Sequence, residues 1–191
     1  MDLVEADVRL FRRRPTIRHL KTVGPIPLYW DRWTLASPFS RYLGVTELLE
    51  HAAEETELML DLKGPRRRLA ELVRDELEPY LGRRSLTVCA RSWHLLDVFE
   101  GLPVRRVASV GSARQLRAFA ERFRERGIDG VSVHARLLDE RVVADIRRVT
   151  ELVLTWPVNA PDRARALVGI GVTGLISDHA DHIAPILARH E

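Results

Sequence analysis

Leu58-Met59-Leu60-Asp61-Leu62-Lys63-Gly64 is a near-continuous apolar run of strand length, broken only near its C-terminal end by an acid and a base two residues apart. Apolar residues on both parities fit a strand buried on both faces, as in a parallel sheet covered by its crossover helices. Asp61 and Lys63 fall on the same side of such a strand. Burying a carboxylate and an ammonium is costly unless they pair with each other or meet a ligand. They stand either as a structural ion pair or as part of a site at the strand's end.

Downstream, the pattern repeats. Strands are predicted over Leu86–Ala90, Val107–Val110, Gly130–His134, Leu152–Trp156 and Val172–Asp178. Between and after them, helical spacing covers Arg67–Leu81, Trp93–Glu100, Ala113–Arg126, Glu140–Val149, Pro161–Val168 and Asp181–His190. Gly82 and Gly127 terminate two of these helices, and Pro161 opens another at its first turn. This alternation argues for a parallel sheet with right-handed crossovers. So many consecutive units without a Gly-rich phosphate loop favour a (β/α) barrel over an open doubly wound sheet.

Upstream, Val45–Ala53 has helical spacing with Thr46 as a candidate N-cap. The stretch from Val23 to Arg41 holds Pro25, Pro27 and Pro38 among Tyr29, Trp30, Trp33 and Phe39, with Tyr42 just beyond. It is too proline-rich for a helix and too aromatic for a disordered linker, so an ordered loop is expected. Its aromatics either pack that loop onto the body or line an apolar wall. Before it, Leu3-Val4-Glu5-Ala6-Asp7-Val8 reads as a strand with both carboxylates on one face. Such a pair marks either a solvated edge or a site for a divalent cation with oxygen ligands. Arg12-Arg13-Arg14-Pro15 breaks the strand, and Thr16-Ile17-Arg18-His19 is extended again, which suggests a hairpin returning His19 beside it.

The 191 residues, 46% hydrophobic and 30% charged, supply enough apolar mass for one core, and no linker divides the chain, so residues 1–191 are read as a single domain. The net charge is only +3, and Lys21 and Lys63 are the only lysines, so the arginine-rich composition is not taken as a nucleic-acid signal. The Arg12–Arg14 and Arg66–Arg68 runs serve either as surface charge or in steering phosphate. The single Cys89 excludes an internal disulfide and favours a reducing compartment, hence a cytoplasmic protein. No apolar segment reaches membrane-spanning length, and no signal-peptide pattern is present.

Polar residues collect at predicted strand C-termini: Glu5, Asp7, Asp61, Lys63, His134, Trp156, Asn159 and Asp178. In a barrel, that rim carries the chemistry. Val4-Glu5-Ala6-Asp7-Val8, Arg18-His19 and Leu60-Asp61-Leu62-Lys63 resemble, in order, the motifs of the glycerophosphodiester phosphodiesterases. Thr155-Trp156-Pro157-Val158-Asn159 resembles the family's W-T-V-N strand end, and Gly171–Asp178 its G-V-D-G-I-I-T-D closing strand. The resemblance spans Leu3 to Asp178. Spider-venom type phospholipase D enzymes share the barrel and carry a similar Asp-x-Lys pair.

The resemblance implies a TIM barrel of the phospholipase C-like phosphodiesterase type, hydrolysing glycerophosphodiesters to an alcohol and glycerol 3-phosphate. It implies Glu5, Asp7 and Asp61 as ligands of Mg²⁺ or Ca²⁺, with Asp61 where the family usually has Glu. Lys63 would neutralise phosphate oxygens, and His19 would be a general acid, followed by Leu20 where Asp is common. Trp156 would line the substrate pocket. His134 ends a strand at the rim, either to touch substrate or as a hydrogen-bonded core histidine, and Asn159 joins it as a candidate substrate contact. His179 and His182 lie near Asp178 and Asp181, where a second metal site is the minor reading.

One departure stands at the front. The family's opening His-Arg-Gly strand end and the helix after it have no counterpart here, because Met1 lies two residues before the Glu-x-Asp strand. The expectation is therefore a barrel lacking its first β/α unit, well short of the ~250 residues typical of the fold. Either the true start lies upstream of Met1, or the chain is a truncated or degenerate relative. A non-catalytic barrel that binds phosphate or a headgroup is the alternative function.

Overall fold

Strand order separates the two architectures the alternation allows. A doubly wound sheet reverses at a switch point, whereas a barrel adds each new parallel strand beside the last. The computed structural model describes residues 3–18, 21–23, 26–31, 34–36 and 41–187, with side chains over 3–18 and 41–185. Its main sheet contains β1 (Leu3–Phe11), β2 (Arg14–Ile17), β6 (Glu57–Leu62), β7 (Leu86–Ala90), β8 (Arg105–Val110), β9 (Gly130–His134), β10 (Leu152–Trp156) and β11 (Gly174–Leu175). The order β11-β10-β9-β8-β7-β6-β1-β2 never reverses, and every pair is parallel except β1 with β2. Seven parallel strands curl as in a TIM barrel short of one stave. Among the described residues no ladder joins β11 to β2.

The helices are α1 (Val45–His51), α2 (Arg67–Leu77), α3 (Ala113–Phe123), α4 (Glu140–Ile146), α5 (Pro161–Gly169) and α6 (Ala180–Leu187). In α2, Leu69, Ala70, Val73 and Leu77 form the buried stripe that a 3.6-residue period requires. Ser112 caps α3 by accepting from the Gln115 amide, and Asp139 caps α4 by accepting from that of Val142. The predicted helix at Trp93–Glu100 is a 3₁₀ segment over Trp93–Phe99. Trp93 packs edge-on against Phe119 and Phe123 and donates its indole N–H to the Ser109 carbonyl at 2.9 Å.

Strand parity divides the core into two layers. Val4, Ala6, Val8, Leu58, Leu60, Leu62, Val88, Ala108, Val131 and Val133 pack in the larger layer, with the helices. Met59, Cys89, Val107 and Leu154, joined by Leu3, Leu152 and Ile176, form a separate cluster on the inner face. Cys89 is buried there, its Cα opposite that of Asp61, and burial pushes its thiol well up from the ordinary range.

Two expectations need correction, and a third, the hairpin, holds. The Val23–Arg41 stretch is not simply loop, because β3 (Lys21–Val23), β4 (Ile26–Asp31) and β5 (Thr34–Ala36) form a small antiparallel sheet. The register slips between Thr22 and Val23, beside Pro27, where a residue without an N–H costs no ladder bond. The predicted Val172–Asp178 strand pairs only at Gly174 and Leu175, having a ladder on one side alone. The hairpin between β1 and β2 turns through Arg12 (φ 45°) and Arg13 (φ 67°), a two-residue left-handed turn built without glycine.

Candidate active site

Parity also builds the site. Leu3 and Met59 lie on the inner-facing rows of β1 and β6, so Glu5, Asp7 and Arg9 follow on one and Asp61 on the other, with Lys63 just past its end. Parallel register places Asp7 opposite Asp61. Glu5, Asp7 and Asp61 each offer a carboxylate oxygen, and the three oxygens lie within 4.8 Å of one another. Lys63 closes the group, with Nζ 2.9 Å from Asp7 Oδ1 and paired to Asp61 Oδ2.

Three acids this close disturb one another. The Glu5 carboxyl is raised to about 7, first by desolvation in the crowded rim and then by the negative charge of Asp61. Its side chain still meets solvent at the rim, and the charges of Asp61 and Asp7 add to the desolvation against the pull of Lys63. Asp61 is buried and its pKa is raised by that burial, against the pull of Lys63. Burial works to lower the Lys63 pKa, but Asp61 and Asp7 outweigh it and hold the ammonium charged. An oxygen-only donor set with surplus negative charge fits a hard divalent cation of the Mg²⁺ or Ca²⁺ kind.

Arg9 is a residue that sequence reasoning passed over. Its Nε is buried without a hydrogen-bond partner among the described residues. Burial lowers its pKa, while Asp7 and Asp61 support the charge. The signal was available, since Arg9 continues the Glu5–Asp7 parity by one step.

The remaining candidates divide. His134 and Trp156 end adjacent strands in register and meet edge to face, with centroids 4.8 Å apart. The His134 pKa is lowered by burial and then by Arg136 and Arg91, so the ring is neutral at pH 7, and its Nδ1 accepts from the Arg136 amide. Asn159 is committed to the chain: its Oδ1 accepts from Ser177 Oγ and the Asp178 amide, and its Nδ2 donates to Asp178 Oδ2. His179 and His182 meet as rings with centroids 6.2 Å apart, and no metal-type cluster forms there among the described residues. His19 lies outside the described residues; the amide of the preceding Arg18 donates to the Asp7 carbonyl at 2.9 Å.

Arg91 also went unremarked in the sequence. It follows the last residue of β7, and its guanidinium carbon lies 5.5 Å from the Trp156 ring centroid, across the ends of β8 and β9.

No family model and no curated protein matches the sequence. Solved structures do. A phosphodiesterase of Oleispira antarctica, solved in complex with the product sn-glycerol-3-phosphate, superposes with TM-score 0.76 at 18% identity, covering 98% of this chain and 85% of that one. A glycerophosphodiester phosphodiesterase of Parabacteroides distasonis gives TM-score 0.70 at 14% identity, covering 98% and 84%. The fold is that of the glycerophosphodiester phosphodiesterases. At such low identity the likeness establishes the fold, and the chemistry rests on the residues at its rim.

Proposed function

We propose that this chain is a metal-dependent phosphoric diester hydrolase that cleaves glycerophosphodiesters, a small-molecule substrate class, to an alcohol and glycerol 3-phosphate. The carrying observation is the cluster of Glu5, Asp7 and Asp61 with Lys63 at the C-terminal rim of a barrel of this fold. Glu5, Asp7 and Asp61 would hold Mg²⁺ or Ca²⁺, which when bound supplies positive charge against the phosphodiester oxygens.

Lys63 and Arg9 bring fixed positive charge to the inner face, where negative charge builds on the phosphoryl group as water adds and the bond to the alcohol breaks. His19 is assigned the proton transfer to the departing alcohol oxygen, on the resemblance of Arg18-His19 to the family motif. Trp156 and His134 give the substrate an apolar wall beside the cluster. Among the described residues no helix is long and apolar enough to cross a membrane. The buried thiol of Cys89 suits a reducing cytoplasm.

The test is release of choline from glycerophosphocholine with Mg²⁺ or Ca²⁺ present. Turnover abolished by chelation and by Asp7→Ala is expected. Metal binding with no turnover of any glycerophosphodiester would overturn the reading.

A further inference from the structure

Arg91 passes Gly111, the residue that follows β8, on its way to Trp156. A Cβ at Gly111 would sit 2.8 Å from Arg91 Nη2 and 3.0 Å from its guanidinium carbon, inside van der Waals contact. The inner-facing position between β7 and β9 is therefore left open, and the Arg91 side chain passes through it. A second guanidinium arrives at the same point, with Arg136 Nη2 donating to the Gly111 carbonyl at 3.3 Å. Both arginines are exposed, and neither has a carboxylate partner among the described residues. Others, such as Arg105 with Glu57 and Arg122 with Asp97, are neutralised. Arg91 follows β7, which stands in the sheet between β6 with Asp61 and β9 with His134, and its positive charge acts on both.

A diester bound with its phosphate over the cluster extends one of its two halves along this stretch of rim. Glycerol is uncharged and common to every substrate of the class, so it gives no partner for two unneutralised guanidinia. The variable half, the alcohol, gives one where it carries an anion.

We propose that Arg91, held over Trp156 through the gap at Gly111 and flanked by Arg136, recognises an anionic group on the leaving alcohol. This deepens the phosphodiesterase reading and rests on it. The preferred substrates are then glycerophosphodiesters whose alcohol carries a carboxylate or a comparable anion. Gly111 is a positioning residue, acting only by leaving Arg91 its path. A planar guanidinium held over an indole face can still present its N–H groups to a carboxylate, a task lysine or glutamine does not reproduce.

Glycerophosphoserine and glycerophosphoethanolamine differ by one carboxylate and form the test pair. The expected kcat/KM ratio favours the serine diester by roughly fivefold, the scale of a solvent-exposed ion pair. Arg91→Gln and Gly111→Ala should each bring the ratio toward one, the latter with Arg91 still present. Calorimetric titration of the metal-free protein with both diesters gives a second reading, with the same order of affinity expected. Turnover of both diesters without preference, or a preference that survives Arg91→Gln, would overturn the proposal while leaving the phosphodiesterase reading intact. Absence of turnover would sink that reading, and the titrations would still decide the proposal: failure to distinguish the two diesters there overturns it.

Discussion

Lys63 Nζ lies 2.9 Å from Asp7 and also pairs with Asp61, so one ammonium bridges acids from two adjacent strands. It is the countercharge of the cluster when no cation is bound. Lys63→Gln should lower the melting temperature of the metal-free protein and enlarge the increment that Mg²⁺ or Ca²⁺ restores, because the acids are left with their mutual repulsion. Thermal unfolding with and without metal reads both. Turnover should fall by roughly two orders of magnitude, the scale for losing a charge aimed at the transition state.

The raised Glu5 carboxyl gives a pH dependence. Its pKa of about 7 in the folded chain exceeds the ordinary 4.5, so the folded state holds the proton more tightly across that window. Its contribution to stability is fully present below pH 4.5 and is lost as pH rises through 7. Metal-free protein should therefore melt lower at pH 8 than the trend of Glu5→Gln predicts, and the variant should melt higher by roughly a few degrees. Equal melting temperatures at pH 8 would refute this.

The β1–β2 turn holds stored strain. Arg12 and Arg13 both carry positive φ, a conformation costing a side-chain-bearing residue about 1 kcal/mol. Replacing the pair by Asn-Gly should stabilise the protein by about 1 kcal/mol, or roughly 3 °C, without altering the cluster. Urea titration measures the gain.

Asn159 was read from the sequence as a substrate contact, and the structure engages both its amide atoms with Ser177 and Asp178. Asn159→Ala should cost about 1–2 kcal/mol of stability and change KM less than Trp156→Ala does. A KM effect larger than that of Trp156→Ala would support a direct substrate contact.

What could be read from the sequence followed periodicity. The strand at Leu58–Leu62 is apolar on both parities, and its partners repeat that pattern, so the parallel barrel was legible. The acids were legible too, because Glu5, Asp7, Asp61 and Lys63 each declare a face by spacing of two. Pro27 misled, since proline was weighed against regular structure, while the structure seats it beside a bulge that needs no N–H there. Arg91 was hidden for another reason. Its role depends on a residue with no side chain just past the next strand and an indole three strands away, a relation that exists only once four strands are in register. His19 lies outside the described residues, and its assignment rests on sequence alone.

Cys89 turns the inner face into a clock. Its thiol is buried opposite Asp61, and its elevated pKa leaves little thiolate to react. Alkylating reagents can reach it only when the staves part, so in the limit of rapid reclosing the labelling rate is the opening equilibrium multiplied by the reactivity of an exposed thiol. The chain thereby carries one native reporter, needing no engineered probe, for how often the interior beneath the acidic cluster breathes.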